Sequence, residues 1–105
     1  MKTILELGIW DKIYVYDFAI KELVIGQIIS LVKGDFGGII LEFQTVIAPE
    51  WYPLMDVITF TEDRIRGATL TIINSIYRRI LISSSLDLIL GSILNENIQW
   101  IANRW

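Results

Sequence analysis

Residues 67–82, GATLTIINSIYRRILI, decide the fold, because the same letters suit either a helix or a β-hairpin. In the helical interpretation, Thr61 caps the start and apolar residues recur at helical spacing. That stripe consists of Ile65, Thr69, Ile72, Ile73, Ile76, Tyr77, Ile80 and Leu81. In the alternative, TLTII and IYRRILI pair as strands about Asn74 and Ser75. The helical pattern accounts for more positions, so a helix is predicted.

The C-terminal residues predict a second helix. Ser84 and Asp87 have the spacing of a capping box. Apolar residues then recur at helical spacing: Leu86, Ile89, Leu90, Ile93, Leu94, Ile101 and Trp105. Ile98 and Trp100 fall outside that stripe, which predicts a helix that is apolar on two sides and packs between elements or subunits.

The first half of the chain predicts an antiparallel sheet. Residues 38–47 predict a strand, because Ile39, Leu41, Phe43 and Ile47 lie on one face and Glu42 and Gln44 on the other, and residues 54–60 are a further candidate strand. The stretch TILELGIWDKIYVYDF predicts a hairpin that turns at Asp11 and Lys12. Between these strands, Asp17 and Gly34 have the positions of helix caps. A helix is predicted there, although the Val and Ile content also favours a strand.

Together these elements predict a single α+β domain over residues 1–105. An N-terminal hairpin and strand 38–47 form a small antiparallel sheet, with residues 54–60 as a candidate further strand. Two C-terminal helices pack on one face of that sheet.

The composition indicates that part of the apolar surface lies outside the core of one chain. The chain has 105 residues, of which 53% are hydrophobic, and its mean hydropathy is +0.52. Globular proteins are typically about 45–50% apolar. A transmembrane segment is not expected, because the longest charge-free stretch, Gly67 to Tyr77, is too short for a span. We therefore predict a soluble, cytoplasmic protein, with peripheral membrane association as an alternative.

The residue inventory restricts the chemistry. The chain contains no Cys and no His, which removes disulfides, thiol chemistry and the commonest general base. Its net charge of −3 argues against nucleic acid as a partner. The sequence therefore predicts a non-enzymatic protein without a cofactor.

One segment instead indicates an enzymatic function. In GDFGGIILEFQ, Asp35 and Glu42 flank an apolar strand that Gln44 follows. This resembles the metal-binding core of the PD-(D/E)xK nucleases, where an Asp and a Glu hold Mg²⁺ to activate water. The resemblance implies a small or degenerate Mg²⁺-dependent nuclease that uses Asp35 and Glu42. Two features depart from the family: Gln44 stands where Lys is usual, and the gap between the acids is short.

The segment APEWYPLMD, residues 48–56, is the main candidate for recognition. Pro49 and Pro53 restrict the backbone, so an extended surface connection is predicted. Aromatic residues on a rigid loop make effective binding hot spots. In the alternative, Trp51 folds back over the core. The predicted partner-binding residues are Glu50, Trp51, Tyr52, Asp56, Trp100 and Trp105.

Arg78 and Arg79 are candidates for contact with an anion or a carboxylate, with solvation at a helix end as the alternative. The function predicted from all these features is a small protein–protein interaction module. It acts as an inhibitor or immunity-type binder, or as an assembly subunit, and either self-associates or docks one protein partner.

Overall fold

The protein is built on one six-stranded antiparallel sheet with the strand order β4-β3-β2-β1-β6-β5. The computed structural model describes residues 1–104, and the side chains of residues 1–95. The strands are β1 (Lys12–Asp17), β2 (Glu22–Lys33), β3 (Gly38–Ile47), β4 (Met55–Thr61), β5 (Leu70–Asn74) and β6 (Arg79–Ser83). A 3₁₀ turn (Ile4–Glu6) precedes them, α1 (Glu62–Ile65) follows β4, and α2 (Leu86–Arg104) ends the chain.

The sheet curls into an open half-barrel. Two irregularities between β2 and β3, at Ile25/Gly26 and at Ile28/Ser30, shift the register of the pairing. Bulges of this kind bend a strand and increase its twist. Gly37, at a positive φ of 75°, allows the tight turn between the same two strands. The curl leaves β4 and β5 as the two edges of the sheet.

The main hydrophobic core fills the concave face of the half-barrel. Its strand residues are Ile13, Val15, Val24, Ile28, Ile39, Leu41, Phe43, Ile58, Phe60, Ile73, Ile80 and Ile82. Ile4 and Leu7 from the N-terminal turn and Ile65 from α1 join this core. The Ile4 amide donates to the Ala68 carbonyl at 2.7 Å, which fixes the N-terminal turn beside α1.

The helix α2 lies on the opposite, convex face, against β6 and β1. Leu81 and Ile89 are buried but lie outside the main core cluster. The Ser85 hydroxyl oxygen accepts from the Leu88 amide at 3.5 Å at the start of the helix, whereas the Ser84 hydroxyl donates to the Lys2 carbonyl. Ser85, not the predicted Ser84, therefore occupies the capping position. Leu90 and Leu94 remain exposed.

The predicted α+β fold with two packed C-terminal helices is wrong. Residues 67–82 form the β5–β6 hairpin, preceded only by the single turn of α1. The spacing misled because the segment is rich in Ile, and many of its positions match a helical stripe by composition alone. Pairing of β6 with β1 decides the outcome, since it buries Ile80 and Ile82 completely in the shared core.

Two further predictions in the first half are wrong. The residues between Asp17 and Gly34 form β2, which places Val24 and Ile28 in the core and pairs on both sides. The stretch before Lys12 contains the 3₁₀ turn and no strand, so no hairpin turns at Asp11. Strand 38–47 is confirmed with its predicted bounds, and β4 corresponds to the candidate strand 54–60.

A substitution at Gly26 tests how closely β2 and β3 pack in the curled sheet. A Cβ at this position would overlap the Phe43 ring and lie 3.1 Å from the Gln44 carbonyl oxygen. We expect Gly26→Ala to lower the free energy of unfolding by roughly 1–3 kcal/mol, because the core has no room for the methyl group. Urea denaturation followed by circular dichroism measures this change.

The matched control is Gly38→Ala, at a strand position where a Cβ meets nothing within 4 Å. This variant should be close to wild type in stability. Equal losses for the two variants would contradict the packing explanation.

Candidate functional site

Three connections meet at one end of the half-barrel, which we call the loop end. Because neighbouring strands are antiparallel, β1, β3 and β5 all finish there. The connections are residues 18–21, residues 48–54 and residues 75–78. The opposite end carries the β2–β3 turn, α1 and the N-terminal 3₁₀ turn.

A charged cluster, the Arg78 cluster, joins these connections and consists of Asp17, Tyr52, Asp56 and Arg78. The guanidinium of Arg78 binds Asp56 through two parallel hydrogen bonds, Nη1 to Oδ1 at 2.9 Å and Nη2 to Oδ2 at 2.6 Å. Nη2 also donates to the Tyr52 hydroxyl oxygen at 2.9 Å. The Tyr52 hydroxyl in turn donates to Asp56 Oδ2. This fork geometry is the strong form of Arg–carboxylate pairing.

Asp17 completes the cluster from the end of β1. Its Oδ2 lies 3.4 Å from Arg78 Nε, a buried atom that has no hydrogen-bond partner among the described residues. Asp17 also accepts from the Ala19 amide at 2.9 Å, which orders the β1–β2 turn. One guanidinium thus contacts carboxylates from β1 and β4.

Burial sets the electrostatics of the cluster. The side chains of Arg78 and Asp56 are 24% and 19% exposed. Burial opposes ionisation of Asp56, but hydrogen bonds from Arg78 and Tyr52 outweigh it and hold the pKa of Asp56 below its usual value. Burial, then the hydrogen bond to Asp56, raises the pKa of Tyr52. At neutral pH the cluster therefore holds an ionised Asp56 beside a neutral phenol.

The loop end presents an apolar surface around this cluster. We call it the loop surface and define it as Ile20, Trp51, Leu54, Ile76 and Tyr77. Trp51 is 63% exposed, and Ile76 and Tyr77 are each 93% exposed. The Trp51 ring lies 6.0 Å from that of Tyr52, centroid to centroid, which gives it a buried neighbour. Exposure of this extent excludes the alternative in which Trp51 covers the core.

The predicted partner-binding residues divide into three groups. Glu50 and Trp51 are exposed at the loop end, whereas Tyr52 and Asp56 lie within the Arg78 cluster. The side chains of Trp100 and Trp105 lie outside the described part of the structure. The structure therefore brings Trp51, Tyr52 and Asp56 together, with only Trp51 widely available to a partner.

Arg78 and Arg79, the predicted contacts for an anion or a carboxylate, both contact groups of their own chain. Arg78 contacts carboxylates of its own chain. The Arg79 guanidinium lies 4.4 Å from the centroid of the Phe18 ring, a cation–π arrangement. The Phe18 amide also donates to the Arg79 carbonyl at 3.0 Å. Both Arg side chains thus help to fix the loop end.

Sequence reasoning missed Leu54, Ile76 and Tyr77. The sequence pattern places Ile76 and Tyr77 in the apolar stripe of a predicted helix, whereas they form the tip of the β5–β6 hairpin. The Ser75 amide donates to the Arg78 carbonyl at 2.8 Å and closes this turn. The competing hairpin interpretation was the signal that could have exposed them, although it placed the turn two residues too early.

The two acids of the nuclease resemblance lie apart from the loop end. Asp35 is exposed in the β2–β3 turn at the opposite end, and Glu42 lies within β3 on the convex face. About 13 Å of strand separates Gly38 from Glu42. The described residues contain no group of three or more acidic side chains that could hold a metal ion.

Comparison with protein-family models, curated proteins and solved structures finds no match to this chain. Among the described residues, none of the helices has the length and apolar character needed to cross a membrane.

The importance of the Arg78 cluster is testable by substitution. We expect Arg78→Met to lower the free energy of unfolding by about 3 kcal/mol, because it leaves two partly buried carboxylates without a cation. Chemical denaturation measures the loss. Arg66→Met is the control, since the 3.8 Å pair between Arg66 and Asp63 is exposed and should contribute less than about 1 kcal/mol. Similar losses for both variants would contradict a special role for Arg78.

The lowered pKa of Asp56 predicts a pH dependence of stability. Unfolded Asp has a pKa of about 3.9, and the folded value lies below it. The stabilisation is therefore complete above about pH 4 and is lost as the pH falls through the folded pKa. Urea unfolding between about pH 7 and pH 2 should show a smaller acid-induced loss in Asp56→Asn than in wild type. Identical acid profiles would show that Asp56 does not carry the effect.

Proposed function

We propose that this protein is a non-enzymatic protein–protein interaction module whose partner docks on the loop surface. The observation that carries the proposal is the concentration of exposed apolar side chains on three connections that one charged cluster fixes. Leu54 is 77% exposed, and Trp51, Ile76 and Tyr77 lie on the same end of the half-barrel. Other exposed apolar residues, such as Trp10 and Phe36, lie elsewhere on the chain, but a group of large apolar side chains on connections that one cluster joins is typical of a recognition surface.

Rigidity is the second support for the proposal. Tyr52 and Asp56 hold the β3–β4 connection, and Arg78 holds the β5–β6 turn, in one hydrogen-bonded unit. The Tyr52 amide donates to the Pro49 carbonyl at 2.9 Å, which closes the turn that carries Trp51. A preorganised surface loses less conformational entropy on binding than a flexible one. In this proposal Tyr52 and Asp56 support the contact surface, and Trp51 with Tyr77 makes the contact.

The composition of the loop surface favours a protein as the ligand. Large aromatic side chains at the centre of a contact, with polar groups at its edge, are typical of binding hot spots. Glu50 and Lys21 are exposed on the same connections and supply such an edge. We propose a cytoplasmic inhibitor or immunity-type binder, or an assembly subunit. Solution mass separates the two, because an assembly subunit is oligomeric alone.

The test is capture of a partner from native lysate, followed by reconstitution with the purified partner. We expect Trp51→Ala and Tyr77→Ala each to weaken binding by at least about tenfold, as expected for removal of hot-spot aromatics. Calorimetric titration measures the affinities. Because both side chains are exposed, the variants should unfold at the same urea concentration as wild type.

Phe36→Ala is the matched control. Phe36 is fully exposed, at 100%, in the β2–β3 turn at the opposite end of the half-barrel. The Phe36→Ala variant should bind the partner with the same affinity as wild type. Two outcomes would place the interface away from the loop surface. In one, all three variants bind the partner with equal affinity. In the other, only Phe36→Ala loses affinity for the partner.

A further inference from the structure

The open side of the half-barrel forms a cleft between the edges of β4 and β5, which we call the seam. One part of it, about 310 Å³, is lined by Thr59, Phe60 and Thr61 on one side and by Ile72, Ile73 and Asn74 on the other. A second part, about 250 Å³, continues along the same strands as far as Arg78. No backbone hydrogen bond joins β4 to β5 within residues 1–104.

Backbone groups of β4 face into the seam. The Thr45 amide donates to the Leu54 carbonyl at 2.8 Å, and the Glu62 amide donates to the Gly37 carbonyl at 2.8 Å. Hydrogen-bonded positions alternate along an antiparallel strand, so the even-numbered residues of β4 bond to β3. The N–H and C=O groups of Val57, Thr59 and Thr61 therefore point away from β3, towards β5. Of these groups, the Val57 N–H already donates to Asp56 Oδ1 at 2.8 Å, so the free N–H groups of β4 are those of Thr59 and Thr61.

The same reasoning identifies the free groups of β5. The Ser75 amide bonds to the Arg78 carbonyl, so the odd-numbered residues of β5 bond to β6. The N–H and C=O groups of Leu70, Ile72 and Asn74 point into the seam. Apart from the Val57 N–H, these backbone donors and acceptors have no hydrogen-bond partner among the described residues, and the two sets flank the cleft.

Neither edge carries the usual protection against strand addition. Natural edge strands are blocked by Lys, by Pro or by inward charges. The sequence of β5 is LTIIN, with no charge and no Pro. In β4 the only charged residue is Asp56, which is bound to Arg78. The two edges are also connected at both ends, by the Arg78–Asp56 pair and by α1.

We propose that the seam accepts an extended, acidic peptide segment of a partner protein as an additional strand between β4 and β5. Its backbone bonds to the free groups of both edges, and its inward side chains are aliphatic because Phe60, Ile65 and Ile73 line the cleft. The acidic character follows from Arg64, which is exposed, lines the cleft beside Thr61 and has no ion-pair partner among residues 1–95. A carboxylate on the inserted segment pairs with Arg64.

The seam is separate from the loop surface, so the two proposals fail independently. Trp51→Ala and Tyr77→Ala change the loop surface alone. Arg64 lines the seam, and Ile72 lines both the seam and a cavity beside Leu81 and Ser92, but neither residue belongs to the loop surface.

The test uses a phage-displayed library of random dodecapeptides selected on the full-length protein, with the most enriched sequence synthesised and titrated by calorimetry. We expect enriched peptides that alternate apolar and polar residues and carry Asp or Glu. Ile72→Pro, which removes an N–H that faces the seam and none that bonds to β6, should weaken binding by about tenfold or more. Ile72→Thr is the matched control and should retain binding.

A second pair of variants, Arg64→Gln and Arg66→Gln, tests the charge complementarity between the seam and the acidic peptide. Arg64→Gln should weaken binding of the acidic peptide by about threefold to tenfold, and this loss should shrink at high salt. Arg66→Gln removes a nearby exposed charge that does not line the cleft and should bind like wild type. If Ile72→Pro fails to fold, amide NMR of the wild-type protein decides the question. Peptide binding should then perturb the amides of Thr59, Thr61, Ile72 and Asn74.

Three results would overturn the proposal. One is a selection that yields no binding peptide. Another is a peptide whose affinity is unchanged by Ile72→Pro and which leaves those four amides unperturbed. The third is an oligomer of the protein alone that Ile72→Pro dissociates, which would make a second copy of the chain the occupant of the seam.

Discussion

The ion pair between Arg78 and Asp56 is the constraint on which the open end of this half-barrel depends. It joins the turn between β5 and β6 to the start of β4, the opposite edge of the sheet, and within residues 1–104 no backbone hydrogen bond makes this connection. Desolvation offsets much of the attraction in a buried ion pair, so the cost of removing Arg78 comes mainly from the carboxylates that are left without a cation. Asp17 and Tyr52 share the same guanidinium and thereby fix two further connections.

The curl of the sheet explains the unusually apolar composition. The side chains on the concave face of a curled sheet pack into one core. Apolar side chains on the convex face need a separate element to shield them from solvent. Here α2 covers β6 and β1, while residues of β3 and β4 such as Ile40 and Val57 stay about half exposed. The 53% hydrophobic content therefore serves one full core, one partly covered face and the loop surface.

The sequence predicted local features well where one strong period acted alone, as in β3, with Ile39, Leu41 and Phe43 buried on one face. The prediction of secondary structure was wrong in β2, β5 and β6. These strands are rich in Ile and Val, so their apolar residues match a helical spacing as well as a strand spacing. For these strands the deciding energy is pairing with a neighbour distant in sequence, as in β6 with β1. Helix caps such as Asp17 also misled, because that carboxylate instead accepts from the Ala19 amide in a turn.

The sequence by itself determined the chemical limits: without Cys or His, no thiol or imidazole chemistry is available, and the two Pro residues enforce an irregular connection around Trp51. Only the tertiary structure decided that Tyr52 lies inside and Trp51 outside, and that Arg78 meets Asp56 from 22 positions away. The physical reason is that strand pairing and ion pairing act between distant segments. Their partners follow no local period, so the folded sheet alone brings them into contact.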